Sequence, residues 1–351
     1  MKKSVLTYLE RLLNQPSPSG YEDKARAVWR AEMADIADRV YGDTHGNSFA
    51  ALNEQGSPRV MLAGHIDEIG FQVQYINDEG FVAFQPIGGF DQPIIPGRRI
   101  VIHAAGGPIK GVVGKKAIHL MKEEDRRKPS EIRDLWIDTG INDAKKVKKL
   151  VAIGDPITYA EGFELLTDNV FISRGIDNRI GAFVVGEVLR YLKGRKFSAA
   201  VYAVATVQEE IGLRGARTAA FGVNPDVGFA VDVTHALEAE SNRKIIGDIA
   251  LGGGPVIERG ANFNPKLYDV IAQTAKKRKI AVQLSAAPGG TGTDANAIQL
   301  NRAGVPTALV SVPNRYMHTP VEMSDLRDVE KCAVLIAETI LALKPGMDFV
   351  L

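Results

Sequence analysis

Two adjacent carboxylates, Glu209 and Glu210, follow directly after a run of mainly small and β-branched residues, Val201 to Val207. Such a run is typical of a strand that is buried on both faces of a sheet. Two like charges at the end of a buried strand repel each other and lose solvation, and a nearby cation would offset both effects. The alternative is a solvated strand end that leads into a helix N-terminus, where acidic residues are favourable. The pair alone is compatible with both.

More polar residues stand at the ends of other apolar segments, or just beyond them. These residues are His65, Asp67, Asp177, Asp232 and His318. Taken singly, each has an ordinary structural alternative as a core or loop histidine, a turn residue or a helix N-cap. In open α/β sheets, however, ligands bind beyond the carboxyl ends of the strands. We therefore expect these residues and the glutamate pair to meet at one edge of a sheet.

Two histidines with several carboxylates suit one or two borderline cations such as Zn²⁺, Co²⁺ or Mn²⁺. Two such ions would share one carboxylate and polarise both a carbonyl and a water molecule. One of Glu209 and Glu210 would then bind a metal, and the other would accept a proton from the water as general base. Asp67, two residues after His65, would orient the imidazole through its second nitrogen. This chemistry is the hydrolysis of an amide, most simply a peptide.

The segments that must position these residues show two kinds of sequence pattern. After residue 159, strands alternate with helices, which predicts an α/β fold with a mostly parallel or mixed sheet covered by helices on both faces. Short alternating strands punctuated by Gly and Pro predict a small β-rich domain over residues 71–158. The expected organisation is a catalytic domain formed by 1–70 and 159–351, with the β-rich domain inserted between them.

Composition excludes several functional classes. The 351 residues are 45% hydrophobic and 24% charged, which is typical of a globular protein. A formal net charge of +1 argues against a nucleic-acid or membrane-surface partner. The N-terminal apolar stretch is interrupted by Glu10 and Arg11 and predicts an amphipathic helix, not a signal peptide. The single cysteine, Cys332, suits a reducing compartment, so we expect a cytoplasmic protein.

The sequence resembles the tetrahedral-assembly (TET), FrvX-like family of dinuclear metallo-aminopeptidases. The resemblance runs from the first helix to the last, in strings that occur in the family's order: AGHIDEIGF, RGIDNRIGA, VQEEIGLRGA, VDVT, GTGTDAN and SVPNRYMHTPVEM. It implies a zinc-peptidase-like α/β domain, with a mixed sheet flanked by helices, that is interrupted by a small PDZ-like β-barrel serving dimerisation. It also implies that such dimers combine into a homododecamer with an enclosed chamber.

The resemblance further implies a role for each residue of the cluster. The implied ligands of two divalent metal ions are Asp177 as the bridge, His65 and Asp232 at one ion, and Glu210 and His318 at the other. Glu209 is implied as the general base, which later passes a proton to the leaving amine, and Asp67 as the support of His65. In this family the peptide bond that follows the bridging aspartate, here Asp177-Asn178, is often cis.

We therefore expect a metal-dependent aminopeptidase that removes N-terminal residues from short peptides, with Zn²⁺ or Co²⁺ as the metal. Two other functions stay open: a related amide hydrolase, such as a deblocking peptidase or a deacylase, and a non-catalytic metal-binding assembly. A glycosidase is disfavoured because its carboxylate pair acts without a metal. These motifs do not indicate the preferred N-terminal residue.

Three residues are weaker candidates for substrate binding: Asp294, Arg315 and Gly292. Asp294 has an equally good structural alternative as the cap of a helix expected over 294–302. The remaining histidines match no ligand position, and we expect them to be structural or exposed; they are His45, His103, His119 and His235.

Overall fold

The computed structural model describes residues 1–126, 128–238 and 243–351. The helices of the described residues are α1 Lys3–Leu13, α2 Asp23–Ala34, α3 Glu123–Arg126, α4 Ala144–Leu150, α5 Ile176–Leu192, α6 Arg214–Val223, α7 Arg243–Ile246, α8 Pro265–Arg278, α9 Asp294–Ile298 and α10 Leu326–Ala342. Short 3₁₀ turns occupy Gln92–Ile94, Ile118–Leu120 and Ile132–Asp134. Within the described residues, none of the helices is both long and apolar enough to span a membrane.

The strands fall into a large sheet, a small sheet and a closed barrel. They are β1 Arg39–Gly42, β2 Ser48–Leu52, β3 Arg59–His65, β4 Gly70–Ile76, β5 Val82–Ile87, β6 Arg99–Ala104, β7 Gly107–Gly114, β8 Trp136–Asp138, β9 Pro156–Tyr159, β10 Glu164–Leu165, β11 Val170–Ser173, β12 Ala200–Thr206, β13 Val227–His235, β14 Val256–Gly260, β15 Gln283–Ala287, β16 Thr307–Asn314 and β17 Glu322–Asp325.

The large sheet has the order β1-β2-β12-β3-β13-β16-β14-β15. Its middle strands β12, β3, β13 and β16 run parallel, whereas β2 pairs antiparallel with β12 and β14 pairs antiparallel with β16. The predicted mixed sheet is therefore confirmed. Because β12, β3 and β13 are adjacent and parallel, their carboxyl ends meet at one edge, as the sequence analysis requires.

Helices cover both faces of this sheet. Along β12, Val201 and Ala203 belong to a hydrophobic cluster with α5 and α10, whereas Tyr202 and Val204 belong to a second cluster with α6 and α9. Successive residues of a strand point to opposite faces, so the alternation places the two helix pairs on opposite sides. Complete burial of a large apolar side chain, such as that of Phe183 in α5, stabilises the fold by about 1.5–3 kcal/mol relative to its exposure.

The barrel closes in the order β4-β5-β8-β7-β6-β9 and has its own apolar core. Phe71, Phe84 and Ile157 are buried in this core, and Phe71 makes edge-on contacts with Phe84 and Tyr159. The chain enters the barrel soon after β3 and leaves it after β9. The predicted α/β fold with an inserted β-barrel is thus confirmed, and the barrel strands extend from Gly70 in β4 to Tyr159 in β9.

Two elements differ from the predictions. The helix expected over 294–302 ends at Ile298, because the chain tightens there into a turn in which the N–H of Asn301 donates to the carbonyl of Ile298, and Leu300 is exposed. Strand β13 continues beyond Asp232 to His235, because it pairs with β16 along its whole length. Asp232 therefore lies inside the strand and not at its end.

Candidate metal centre

The first candidate metal ligands stand at or just beyond the ends of two adjacent parallel strands. His65 at the end of β3 is paired in register with Thr206 at the end of β12, and Glu209 and Glu210 follow Thr206 in the next turn. The buried carboxylate of Asp67 fixes this turn, because Oδ1 accepts the backbone N–H of Glu209 at 3.1 Å and Oδ2 accepts that of Glu210 at 3.2 Å. Asp67 therefore connects the two strand ends.

The imidazole of His65 is buried with carboxylates on both sides. Its Nδ1 lies 3.2 Å from the backbone carbonyl oxygen of Asp67 and 3.4 Å from Oδ1 of the same residue. Its Nε2 lies 3.3 Å from Asp177, 3.7 Å from Glu209 and 3.9 Å from Asp232. Nδ1 therefore faces the supporting acid, and Nε2 faces the centre of the cluster.

Asp177 lies between the two candidate ligand histidines. Its Oδ1 is 3.3 Å from Nε2 of His65, and its Oδ2 is 3.2 Å from Nε2 of His318. Asp177 and Asn178 have non-helical backbone angles at the start of α5, and the peptide bond between them is cis. The side chain of Asn178 donates to the carbonyl of Val231, which attaches this segment to β13. One carboxylate thus faces both halves of the cluster.

His318, in the loop after β16, is the second histidine of the cluster. Its Nε2 is 3.6 Å from Oε1 of Glu210, and its ring is half-buried. The buried side chain of Glu322 accepts the backbone N–H of His318 and that of Asp177, each at 2.9 Å. Glu322 therefore positions two donors at once. The sequence analysis did not single it out, although it stands four residues after His318 in the same motif.

The pKa shifts of these side chains indicate that the cluster has too little positive charge to balance its carboxylates. Burial and repulsion by neighbouring carboxylates raise the pKa of Glu209 to about 10 and that of Glu210 to about 8. Burial by itself would raise the pKa of Asp177, but hydrogen bonds with His318 and His65 hold it below its ordinary value. The hydrogen bond with Asp177 raises the pKa of His318 to about 9. A divalent cation at this point would displace the excess protons.

The donor set fits divalent metal ions. Atoms of His65, Asp177 and Glu210 lie within 4.8 Å of one another, and so do atoms of His65, Glu209 and Asp232. Imidazole nitrogen and carboxylate oxygen are ligands that Zn²⁺, Co²⁺ and Mn²⁺ accept. By distance alone, Glu209 belongs to the same group as the metal donors. A separate role for it as a base therefore depends on its chemistry and not on this grouping.

A cavity of about 390 Å³ opens beside the cluster. Gly292, one of the expected substrate-binding residues, lines it. Asp294 is buried and accepts a hydrogen bond from Oγ1 of Thr206 at 2.5 Å, and Arg315 is half-buried in a β-bridge with Met323. Among the described residues, the cavity lining includes neither Asp294 nor Arg315.

The cavity also contains residues that the sequence analysis did not assign to it. His235 is exposed, as expected, but it lies in the cavity wall. Glu258 on β14 also lines the cavity and is only 8% exposed. Its position in the strand VIERG gives no local signal, because β14 reaches the site only through its pairing with β16.

Comparisons with known proteins identify similar aminopeptidases. The family model described as M42 glutamyl aminopeptidase matches residues 46–335, a range that contains every donor described above. A lysyl aminopeptidase of Pyrococcus furiosus is 38% identical over 344 residues, which cover 97% of this chain and 98% of that protein.

Solved structures match over nearly the whole chain. The crystal structure of a TET aminopeptidase from a marine sediment archaeon of the Thaumarchaeota is 33% identical and superposes with a TM-score of 0.93, covering 97% of this chain and 98% of that one. The TET1 peptidase of Pyrococcus horikoshii, described as able to assemble into a tetrahedron or a large octahedral shell, is 32% identical with a TM-score of 0.87, covering 97% and 100% of the two chains.

Proposed function

This chain belongs to the M42 glutamyl aminopeptidase family, and from that premise we propose that it hydrolyses the N-terminal peptide bond of short peptides in a metal-dependent reaction. The observation that carries the proposal is the position of Asp177, whose two carboxylate oxygens face His65 and His318 separately. A carboxylate placed between two donor groups is suited to being shared by two metal ions.

We propose two divalent ions per subunit, Zn²⁺ or Co²⁺. Asp177 would bridge them, with His65 and Asp232 at one ion and with Glu210 and His318 at the other. When bound, divalent cations supply Lewis acidity, which polarises a carbonyl oxygen and makes water a nucleophile at neutral pH. Asp67 would hold Nδ1 of His65, so that Nε2 stays directed at the cluster.

Glu209 would move the proton. As the water oxygen attacks the carbonyl carbon, the carboxylate of Glu209 accepts a proton from that water. It then donates this proton to the amide nitrogen as the carbon–nitrogen bond breaks, which releases the free amino acid and a peptide shortened by one residue. Its buried position beside the donors supports this role, because a base must lie within hydrogen-bond reach of the attacking water.

Self-association through the barrel, up to a homododecamer, is proposed on the basis of the related TET1 peptidase, which is described as forming a tetrahedron. Large apolar side chains in the inserted region support an interface there, because Tyr75, Ile118 and Leu120 are exposed. Light scattering of the purified protein tests this. A monomer contradicts any self-association, whereas a dimer without larger species contradicts the dodecamer.

We propose the cytoplasm as the compartment in which the protein acts.

Hydrolysis of aminoacyl p-nitroanilides, with and without exhaustive chelation, tests the enzymatic function. We expect activity that chelation abolishes and that added Zn²⁺ or Co²⁺ restores. Unchanged activity after metal removal contradicts the mechanism. Faster cleavage of N-acylated than of free-amine substrates would indicate a deblocking peptidase or a deacylase instead. An inactive protein that holds two metal ions tightly would indicate a non-catalytic assembly.

Family membership does not fix the charge of the preferred N-terminal residue. The description of the family specifies a glutamyl residue, whereas the name of the Pyrococcus furiosus relative specifies a lysyl residue. These side chains carry opposite charges, so one pocket cannot favour both. The preference must therefore come from the residues that this chain itself places in the cavity.

A further inference from the structure

Glu258 is a buried acid in the cavity that the proposed reaction does not use. Its side chain lines the same cavity as the metal donors and is only 8% exposed. The strand pairing determines which face of the sheet its side chain points to. Val256 of β14 is paired with Ser311 of β16, and Ser311 is paired with Asp232 of β13. Paired residues share a face, and so do residues two apart in a strand. Glu258 and Asp232 therefore project from the same face of the sheet.

Few neighbouring groups stabilise the negative charge of the Glu258 carboxylate. Oγ of Ser311 donates to Oε1 at 3.3 Å, a long bond and the sole hydrogen bond to this carboxylate within the described ranges. Across residues 1–126, 128–238 and 243–351, neither lysine nor arginine belongs to the cavity lining. Burial raises the pKa of Glu258, and the Ser311 hydroxyl opposes this only partly. A carboxylate removed from water without a cationic partner is unfavourable, and a cation in the cavity would relieve that penalty.

We propose that Glu258 binds the basic side chain of a peptide's first residue, so that the enzyme is selective for N-terminal lysine and arginine. This inference rests on the proposed aminopeptidase function, which places the scissile carbonyl at the metal donors. Asp232 and Glu258 are two strands apart and offset by two residues along the strands, roughly 12 Å at the usual strand spacing and rise. The flexible four-carbon stem of lysine suits such a gap, with its ammonium group at the far end.

The rest of the wall suits the stem of such a side chain. Ser285 is paired with Glu258 across β14 and β15, and Leu309 and Ala287 supply apolar surface beside them. Long basic side chains pack their methylene groups on apolar surface while the charged head reaches a polar partner. An N-terminal glutamate would instead bring a second buried carboxylate against Glu258, which like-charge repulsion disfavours.

The α-amine of the substrate is a less suitable partner for Glu258. It is bonded to the same α-carbon as the scissile carbonyl, so it must stay close to the metal donors when that carbonyl is in place. Glu258 lies two strands away from Asp232. The two assignments make different predictions, because every substrate carries the α-amine and only basic residues carry the second cation.

The test compares kcat/KM of the metal-loaded enzyme for p-nitroanilides of lysine, arginine, norleucine and glutamate. Norleucine matches the lysine stem without its charge. We expect the wild type to favour lysine over norleucine by about 10–100-fold, the range of one charged hydrogen bond. Glu258→Gln should bring this ratio close to 1, and Glu258→Arg should favour glutamate. Glu164→Gln, on the exposed strand β10, is the matched control and should keep the wild-type ratio.

The ratio of two substrates does not depend on how much of a variant is folded, so impaired folding cannot imitate the expected result. An unchanged lysine-to-norleucine ratio in Glu258→Gln overturns the proposal, and so does an equal loss for both substrates, which would assign Glu258 to the α-amine. If the wild type cleaves no substrate, the aminopeptidase function fails instead. Calorimetric binding of lysinamide and norleucinamide to wild type and Glu258→Gln then still decides the role of Glu258.

Discussion

Glu209 and Glu210 are neighbours in the sequence, but their carboxylates lie beside different histidines. Oε2 of Glu209 is 3.7 Å from Nε2 of His65, whereas Oε1 of Glu210 is 3.6 Å from Nε2 of His318. Both residues stand in the turn after β12, which follows Gln208 with its φ of +55° and is held by Asp67 through both glutamate N–H groups. Two adjacent residues of the same type can therefore have separate functions.

Replacing Glu209 by glutamine should separate metal binding from turnover. The amide cannot accept a proton, so we expect a metal content equal to that of the wild type and a kcat lower by about 10²–10⁴-fold. Elemental analysis and steady-state kinetics on the same preparation measure both quantities. Glu210→Gln is the paired variant and should lose metal as well as activity. A substantial residual rate in Glu209→Gln would place the base elsewhere.

Replacing Asp67 by asparagine should weaken metal binding without removing a ligand. The substitution removes the charge that faces Nδ1 of His65 and one of the oxygens that hold the turn, and such changes behind a ligand lower metal affinity by about 10–100-fold. Competition with a calibrated chelator measures this affinity. Asp143→Asn is a matched control, because Asp143 also accepts two backbone N–H groups but lies at the start of α4. Equal affinities for wild type and Asp67→Asn would contradict the assigned role.

Much of this centre could be predicted because its signals are local. The apolar run of β12 and the abrupt change to Glu209 and Glu210 are visible without any tertiary information, as are the turn-rich strands of the barrel. The motif resemblance then gave each donor a role. The proposed roles of His65 and His318 agree with the geometry, because Asp177 lies between the two rings.

Glu258 could not be assigned in the same way. Glu258 and Arg259 are adjacent in β14 and point to opposite faces, and only the order of the strands decides which of them meets the cavity. That order depends on pairing between β14 and β16, which are far apart in the chain. The length of α9 had a different cause: apolar residues continue to Leu300, but a tight turn closed by the hydrogen bond from Asn301 to Ile298 ends the helix earlier.

Glu68→Gln should destabilise the fold strongly. The carboxylate of Glu68 contacts Arg174 at 2.6 Å and Arg179 at 2.8 Å, and all three side chains are buried. Removing the acid leaves two buried guanidinium groups without their counter-charge, which costs about 3–5 kcal/mol. Chemical unfolding of the metal-saturated protein measures the loss. The surface pair of Glu54 and Arg39 provides the control, and Glu54→Gln should cost less than about 1 kcal/mol. Similar losses in both variants would contradict this prediction.

His103 should make stability dependent on pH. Partial burial on the outside of the barrel, together with the nearby positive charge of Arg174, lowers the pKa of its imidazole from the ordinary value of 6.5 to about 4. A group whose pKa is lower in the folded protein stabilises the fold above the unfolded pKa and loses that contribution as the pH falls through the folded value. Relative to His103→Gln, the wild type should therefore lose about 1–3 kcal/mol of unfolding free energy between pH 6.5 and 4. Paired unfolding curves across this range measure the difference, and a constant difference between the two proteins would contradict it.

The position of the barrel within the chain has a consequence during synthesis. His65 precedes the barrel, Asp177 follows it, and His318 lies close to the C-terminal helix α10. A ribosome that adds about 5–20 residues per second needs roughly 10–50 s to progress from the first of these donors to the last. Throughout that interval the nascent polypeptide lacks part of the proposed metal-binding set. We therefore expect that it cannot hydrolyse other emerging chains until its own synthesis is almost complete.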